Sequence, residues 1–272
     1  MARISANDIT ITSLETITCF HLTSGDYLFT IDELQNATIA NTQDKTDITG
    51  KGGRKLNSLK RNKAVTVSGT NGLMSAGLYE LQTGSKFDID VATTIKWTDY
   101  LTVSENAATT TYKAVGTVGN EISKIFVKSE DGTIATALTQ DATAGAGTFS
   151  YNPETKAISF NAGDVADGSE IVVYYNRKIT GDVLANESDA YSEKCQMYID
   201  AFGEDKCGNM YRVQFYIPKA DFSGNFDIAM GGDQTVHAFE AESLSGACGA
   251  GGKLWTYTIF GTDTEDVVED ED

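Results

Sequence analysis

Proline and histidine are almost missing from this chain of 272 residues, which contains 2 of each. The scarcity of proline leaves long strands uninterrupted, and 26 glycines with many threonines and aromatic residues favour strands joined by tight turns. No run of about 18 apolar residues occurs, so neither a transmembrane helix nor a membrane partner is predicted. The N-terminal stretch has neither a long apolar core nor a small-residue cleavage site, so no signal peptide is expected.

Cysteines are few and widely spaced. Cys19, Cys195, Cys207 and Cys248 form no C-x-x-C pair, so a structural zinc site is not expected. Buried thiols in a reducing compartment are the favoured interpretation, and a disulfide is the alternative.

Basic residues are also scarce: 21 Lys and Arg stand against 39 Asp and Glu, giving a net charge of −18 and a pI near 4.4. Such a chain has no dense basic face for wrapping DNA. Many of its basic residues lie in 41–63, which is predicted to be a polar, glycine-punctuated loop: Lys51, Arg54, Lys55, Lys60, Arg61 and Lys63. Residues 262–272 carry seven acidic residues and are expected to form a disordered acidic tail.

Catalytic groups do not cluster in the sequence. His21 and His237 both lie in strand-like patterns, where a histidine with one satisfied nitrogen is the more common case. Gly50-Lys51-Gly52-Gly53 resembles a phosphate loop only superficially, because the earlier glycine and the following Ser or Thr are missing. The sequence therefore predicts no enzyme, no catalytic or metal-binding residue and no cofactor.

Alternating patterns predict strands along most of the chain. In 87–103 the apolar residues share one parity, which predicts a core face made by Phe87, Ile89, Val91, Ile95, Trp97, Leu101 and Val103. Asp88 and Asp90 have the opposite parity and are expected to face solvent. A β-hairpin is predicted from 195 to Pro218 around the turn-rich 203–209, and further strands at 234–244 and 253–260.

Residues 112–180 show short strands separated by turn residues, such as Asp131-Gly132 and Asn152-Pro153. Helix is predicted only at 71–83, with Asn71 as the N-cap and Gly84 as the stop. The predicted fold class is all-β, a mainly antiparallel sandwich or barrel with one short helix.

Three segments of the sequence resemble the tail tube, or major tail, proteins of long-tailed bacteriophages. The resemblance lies in VTVSGTNGLMSAGLYELQTGS at 65–85, CQMYIDAFGEDKCGNMYRVQFYIPKADFSGNF at 195–226 and FDIAMGGDQTVHAFEAESLSG at 226–246. It implies domains of 1–111 as the first part of a tube β-sandwich with the 41–63 loop, and 181–261 as its second part. Residues 112–180 would be an additional β segment, a possible insertion, and 262–272 the tail.

The resemblance also implies a function. Such subunits close into hexameric rings that stack through loops and termini into a hollow tube, through which genomic DNA passes without specific binding. The implied partners are further copies of the chain and other tail proteins (tape measure, terminator and baseplate). The implied location is the virion tail, assembled in the host bacterial cytoplasm. The basic residues of 41–63 are expected to contact a neighbouring subunit, and Asp88 and Asp90 to face the lumen.

Another class of function stays open from the sequence. A head decoration protein, a baseplate protein or a carbohydrate-binding surface module could also be rich in β-structure. A sugar-binding module should expose clustered aromatic residues, whereas Trp97 and Trp255 are predicted to pack in the core.

Overall fold

The computed structural model describes residues 8–129, 133–228, 236–246 and 251–261, and the chain divides into two compact units. Unit 1 combines Met1–Phe87 with Leu184–Asp272, and unit 2 is Asp88–Val183. Unit 2 therefore interrupts unit 1 in the sequence. It contains all of 112–180 and also takes in 88–111 and 181–183. The predicted tail at 262–272 and the Asp131-Gly132 turn lie outside the described residues.

Unit 1 is built on one eight-stranded sheet, called sheet A. Its strands are β1 (Thr10–His21), β2 (Tyr27–Ile31), β3 (Leu34–Thr49), β4 (Lys55–Asn71), β12 (Lys194–Glu204), β13 (Met210–Phe222), β14 (His237–Ser243) and β15 (Thr256–Gly261). The order is β2-β1-β12-β13-β14-β4-β3, and β15 pairs with β13 beside β14. Neighbours run antiparallel. Because β1 lies beside β12 and β4 lies beside β14, the two chain segments that flank unit 2 form one sheet.

The core of unit 1 follows the alternation seen in the sequence. Cys195, Met197, Ile199 and Ala201 are all buried on one face of β12, as the period of two predicts. The predicted hairpin is confirmed, with Asp200 opposite Gln214 and a five-residue connection between β12 and β13.

The prediction that this hairpin ends at Pro218 is wrong, because β13 continues to Phe222. The β12–β13 register shifts between Cys195 and Met197, so the pairs are Cys195 with Ala220 and Met197 with Ile217. Pro218 lies in this bulge. A bulge tolerates proline inside a strand, because a bulged residue need not donate a ladder hydrogen bond.

The single α-helix of the described residues, α1 (Ala76–Thr83), packs Leu78 and Leu81 into the core of sheet A. Ser75 caps it by accepting a hydrogen bond from Leu78 N, and Gly84 ends it in the left-handed conformation. The predicted stop at Gly84 is confirmed. The predicted start is wrong, because Asn71 ends β4 and donates its side-chain amide to Leu73 O.

Gly77 shows why a weak helix former stands in this short helix. A Cβ atom at Gly77 would lie 2.4 Å from Cβ of Phe29. Glycine is thus required for the close approach of α1 to β2, although it disfavours helix by about 1 kcal/mol relative to alanine.

Unit 2 contains a seven-stranded sheet, called sheet B, in the order β5-β11-β7-β8-β9-β10-β6. Its strands are β5 (Phe87–Thr102), β6 (Ala107–Thr109), β7 (Lys124–Lys128), β8 (Ile134–Gln140), β9 (Thr148–Asn152), β10 (Ala157–Phe160) and β11 (Glu170–Leu184). The pairs β11–β7, β7–β8, β9–β10 and β10–β6 are antiparallel, and the pair β8–β9 is parallel. The predicted hairpin around Asn152-Pro153 is confirmed as β9 and β10.

The predicted core face of 87–103 is only partly right. Val103 is buried, and Trp97 and Leu101 pack against the core of unit 2, whose largest side chains include Phe149 and Ile171. Ile89, however, is 64% exposed, so its assignment to the core is wrong for the isolated chain. Period-two alternation identifies the two faces of a strand, but it does not show how far along the strand a core extends.

The fold class predicted from the sequence is confirmed. The described residues form mainly antiparallel β-structure with one short α-helix.

Candidate assembly surfaces

A two-stranded ribbon formed by residues 42–63, here called the arm, extends from the edge of sheet A. β4 pairs with β14 only from Val65 to Asn71, and its earlier residues pair with β3 alone. A short 3₁₀ turn at Lys51–Gly53 closes the ribbon. The prediction of an irregular loop at 41–63 is therefore wrong. The sequence does not reveal these strands, because both faces of the ribbon are exposed. Such strands do not require alternating apolar and polar residues.

The arm concentrates positive charge on an acidic chain. It holds seven basic and two acidic residues, including Lys45, which the sequence analysis did not single out. Cross-strand partners share a face, and Lys45 lies directly opposite Lys60. Lys55 donates to Asp47 at 2.7 Å, and this hydrogen bond raises the pKa of Lys55.

The opposite face of the arm carries exposed apolar side chains. Ile48 pairs with Asn57 and Leu59 pairs with Thr46, which places Ile48 and Leu59 on one face, at 41% and 37% exposure. An isolated two-stranded ribbon is at best marginally stable in water, because it has no layer to pack against. The arm is therefore suited to being covered by another protein surface.

Asp88 and Asp90 lie on exposed positions of β5, as the parity predicts. Asp90 has a positive φ of 55°, and its backbone N–H donates to Asp182 Oδ1 at 2.9 Å. A left-handed backbone is tolerated best by Asn, Asp and Gly. The two carboxylates belong to unit 2, whereas the basic residues of the arm belong to unit 1.

A row of aromatic rings crosses sheet A on the face opposite its core, a feature that the sequence analysis missed. Tyr27 contacts Phe20, Phe20 contacts Tyr198 edge-on at 5.6 Å, and Tyr198 stacks on Tyr216 at 4.5 Å. The rings come from β2, β1, β12 and β13 in order. Phe20 and Tyr198 have the parity opposite to that of the buried residues in their strands, and Tyr216 has the parity opposite to Val213 and Ile217. Tyr27 has the same parity as the buried residues of β2, and it lies opposite Phe20 only because the β1–β2 register shifts after Cys19.

A cleft within unit 2 has a volume of about 860 Å³ and includes Tyr112, Arg177 and Lys178 in its lining. The guanidinium carbon of Arg177 lies 3.4 Å from the ring centre of Tyr112 and 4.9 Å from that of Trp97. Arg177 thus covers a face of Tyr112 that a sugar ring would otherwise stack on. Trp255, predicted to be core, is 37% exposed.

The thiols fall into two environments. Cys19 and Cys195 are fully buried in the core of unit 1 and free, and burial, followed by the neighbouring Cys195, raises the pKa of the Cys19 thiol. Cys207 is free but exposed, so the expectation of burial is wrong there. Cys248 lies outside the described residues.

Within residues 8–129, 133–228, 236–246 and 251–261, no three His, Cys, Asp or Glu side chains are grouped as metal ligands. In the same ranges no helix is long and apolar enough to cross a membrane.

A β-rich subunit with a charged ribbon is suited to assembly, and a match to a protein family gives its class. The chain belongs to the YomU/Tube protein family, a phage tail tube family, whose model matches residues 9–250. A comparison with curated proteins finds no match. Family membership implies a structural role in the tail tube, self-assembly and a location in the virion tail.

Proposed function

We propose that this tail tube subunit closes into hexameric rings and that the rings stack into a hollow conduit for DNA ejection. The single observation that carries this proposal is the arm, a ribbon with one basic face and one partly apolar face on a chain of net charge −18. Like-charged rings repel each other. A basic arm that meets the acidic body of the next ring offsets this repulsion and fixes which surfaces meet.

In this proposal the apolar face of the arm provides the buried contact area, and the basic face determines which surface of the next copy the arm contacts. Burying Ile48 and Leu59 against the next copy removes apolar surface from water at about 25 cal/mol per Å². The basic residues of the arm, Lys51, Arg54, Lys55, Lys60, Arg61 and Lys63 among them, pair with carboxylates of the neighbouring copy.

The acidic character of the subunit suits a channel through which DNA passes. Carboxylates on the wall repel phosphates, and DNA then moves without adhering. Asp88 and Asp90 are proposed to face this lumen, six copies per ring. Their exposure on β5 supports the proposal, since a buried carboxylate could not line a channel.

The remaining partners are proposed from the class of protein. A tube of this kind meets a tape measure protein, a terminator and a baseplate, and it is assembled in the cytoplasm of the host bacterium before it becomes part of the virion. A carbohydrate-binding role is not proposed, because Arg177 stacks over Tyr112 in the 860 Å³ cleft of unit 2.

A shortened arm tests the proposal. Asp44 lies opposite Arg61, so replacing residues 45–60 by Asn-Gly closes the ribbon with a two-residue turn at an existing cross-strand pair. The variant should keep the circular dichroism and thermal midpoint of a folded subunit. By electron microscopy the unaltered protein should form rings and tubes of six-fold symmetry, and the variant should form no tubes. Normal tubes from the variant would refute the role of the arm.

A further inference from the structure

Arg177 is stacked against two aromatic rings in the lining of the 860 Å³ cleft of unit 2, here called the Arg177 cleft. Its guanidinium carbon lies 3.4 Å from the ring centre of Tyr112 and 4.9 Å from that of Trp97. Trp97 Nε1 donates a hydrogen bond to Asp99 Oδ1 at 3.0 Å. The backbone N–H of Tyr112 donates to the hydroxyl of Tyr175, also at 3.0 Å. Because both aromatic residues are tied to the core of unit 2, the guanidinium has a fixed position before any ligand binds.

The positive charge of Arg177 is not compensated within the described part of the chain. Arg177 forms none of the ion pairs found there, and its Nε is buried without a hydrogen-bond partner. Stacking on aromatic rings occupies only the faces of a guanidinium group. The N–H groups point outward in its plane, where two of them can donate in parallel to the oxygens of a carboxylate. A carboxylate would therefore complete this site.

The other charged side chains of the cleft leave Arg177 available. Lys113 is paired with Glu154 at 2.6 Å. Glu121 also lines the cleft, but its carboxylate accepts a 2.7 Å hydrogen bond from the amide of a nearby glutamine and forms no ion pair with Arg177. Lys178 is exposed and has no ion-pair partner among the described residues, so it adds a second uncompensated cation to the lining.

Apolar side chains form another part of the lining, among them Ala114, Val115, Val118 and Pro153. The volume of 860 Å³ falls within the range of about 300–1,000 Å³ that is typical of ligand clefts. A hydrogen bond between ionised groups is stronger beside apolar walls than in open water, because the local dielectric constant is lower. The cleft therefore suits a carboxylate that is joined to a short apolar group.

Other copies of the chain bring carboxylates to this cleft during assembly. Family membership implies self-assembly, and the chain has 39 acidic residues against 21 basic ones. We infer that the Arg177 cleft binds an acidic side chain of a neighbouring copy, with Arg177 as the bidentate anchor and Lys178 as a second cation beside it. This inference rests on the proposed assembly of the subunit into rings and tubes.

A titration of the full-length subunit, below the concentration at which it polymerises, tests the cleft itself. Trp255→Phe leaves Trp97, whose ring contacts Arg177, as the sole tryptophan, because the chain contains two. At constant ionic strength, 3-methylbutanoate, a carboxylate with a short apolar group, should change the fluorescence of Trp97 until the site is saturated. The neutral 3-methylbutanamide should give no saturable change. No saturation by the carboxylate, or equal saturation by the amide, would overturn the inference.

Two substitutions separate the anchor from a general effect of charge. Arg177→Gln removes the anchor, and Lys124→Gln removes the same charge at an exposed position of unit 2. In the Trp255→Phe background, Arg177→Gln should weaken the binding of 3-methylbutanoate by about ten-fold or more, and Lys124→Gln should leave it unchanged. Equal weakening in both variants would contradict a specific role of Arg177.

Assembly of the unaltered protein provides a test that needs no substitution. A saturating concentration of 3-methylbutanoate should slow polymerisation, followed by light scattering, by about three-fold or more, because it competes with the neighbouring copy. The amide, or sodium chloride at the same ionic strength, should not. In mixtures of light and heavy isotope-labelled subunits, carbodiimide should join Lys178 to Asp or Glu of another copy.

The outcomes distinguish this inference from the proposed function. If tubes form but the carboxylate leaves their rate of formation unchanged, or if the crosslinks of Lys178 stay within one copy, the neighbouring copy is not the occupant and the proposed function stands. If no tubes form under any condition, the proposed function fails and the neighbouring copy fails with it as the occupant. The titration decides separately whether the cleft binds a carboxylate.

Discussion

His237 is a buried histidine of unit 1 whose uncharged form the fold favours. It is fully buried, and its Nε2 lies 2.8 Å from Gln82 Oε1, while Gln82 Nε2 donates to Ala238 O. The proton therefore belongs on Nε2. Its Nδ1 has no hydrogen-bond partner in the described part of the chain. Burial lowers the pKa of His237 to about 4.

This pKa predicts a loss of stability in acid. The unfolded chain binds the proton with a histidine pKa near 6.5, whereas the folded chain resists it down to about 4. The contribution is complete above pH 6.5 and falls progressively as the pH drops to 4, by about 3 kcal/mol in total. Urea unfolding at a series of pH values should show this slope, and His237→Phe should flatten it. Identical slopes in the two proteins would show that His237 does not titrate in this way.

Asp99 organises the polar part of unit 2. Its carboxylate, 6% exposed, accepts hydrogen bonds from Trp97 Nε1, Thr111 N and the Tyr175 hydroxyl at 2.7–3.0 Å. Burial alone would raise the pKa of Asp99, but these donors outweigh it and the pKa is lowered. The network ties β5 to the 110–114 segment and to β11.

Asp99→Asn should therefore destabilise unit 2 by about 1–3 kcal/mol, because an amide NH2 in place of one oxygen leaves either Trp97 Nε1 or the backbone N–H of Thr111 without an acceptor. The midpoint of urea unfolding, followed by tryptophan fluorescence, measures this cost. Asp88→Asn, at an exposed position of the same strand, is the matched control and should change stability by less than about 0.5 kcal/mol. A similar small effect at Asp99 would contradict a structural role for the network.

At the scale of elements, the sequence was informative wherever one face of a strand is buried. The β12–β13 hairpin could be predicted because burial on one face imposes a period of two. The arm could not, since neither of its faces is buried in the single subunit. Pro218 suggested a strand end, and only the register reveals the bulge that accepts it. The aromatic row depends on strand order, which no local pattern in the sequence specifies.

The arm gives a prediction that separates its apolar contacts from its charges. Ile48→Ser with Leu59→Ser should change the stability of the subunit little, because both side chains are already partly in water. Polymerisation, followed by light scattering, should slow at both low and high salt. Lys45→Gln with Lys60→Gln, the matched variant of the other face, should alter mainly the dependence on salt. Equal salt dependence in both variants would show that the two faces do not have separate roles.

For the whole molecule, the distribution of charge is more informative than its sum. The basic arm belongs to unit 1, and the exposed Asp88 and Asp90 belong to unit 2, which interrupts unit 1 in the sequence. Net charge alone fits any acidic soluble protein. Contact with an acidic surface would explain why a ribbon with seven basic residues occurs on such a chain.

Assembled tubes allow the lumen assignment of Asp88 and Asp90 to be tested through DNA. Asp88→Lys with Asp90→Asn removes two carboxylates and adds a cation in every subunit, and asparagine at 90 suits the positive φ of 55°. Exposed substitutions of this kind should leave folding and polymerisation intact. If the site lines the channel, variant tubes should retain short duplex DNA at low salt, release it as salt rises, and protect it from nuclease.

Glu187→Lys with Asp189→Asn makes the same change of charge at two exposed positions of unit 1 and is the control for binding caused by net charge alone. DNA that binds to the Asp88 and Asp90 variant but stays open to nuclease would place these carboxylates on the outer surface of the tube. DNA that binds equally to both variants would show that the site has no special position. Only protection confined to the first variant agrees with a ring of carboxylates around the channel, because a nuclease molecule outside the tube cannot reach DNA held within it.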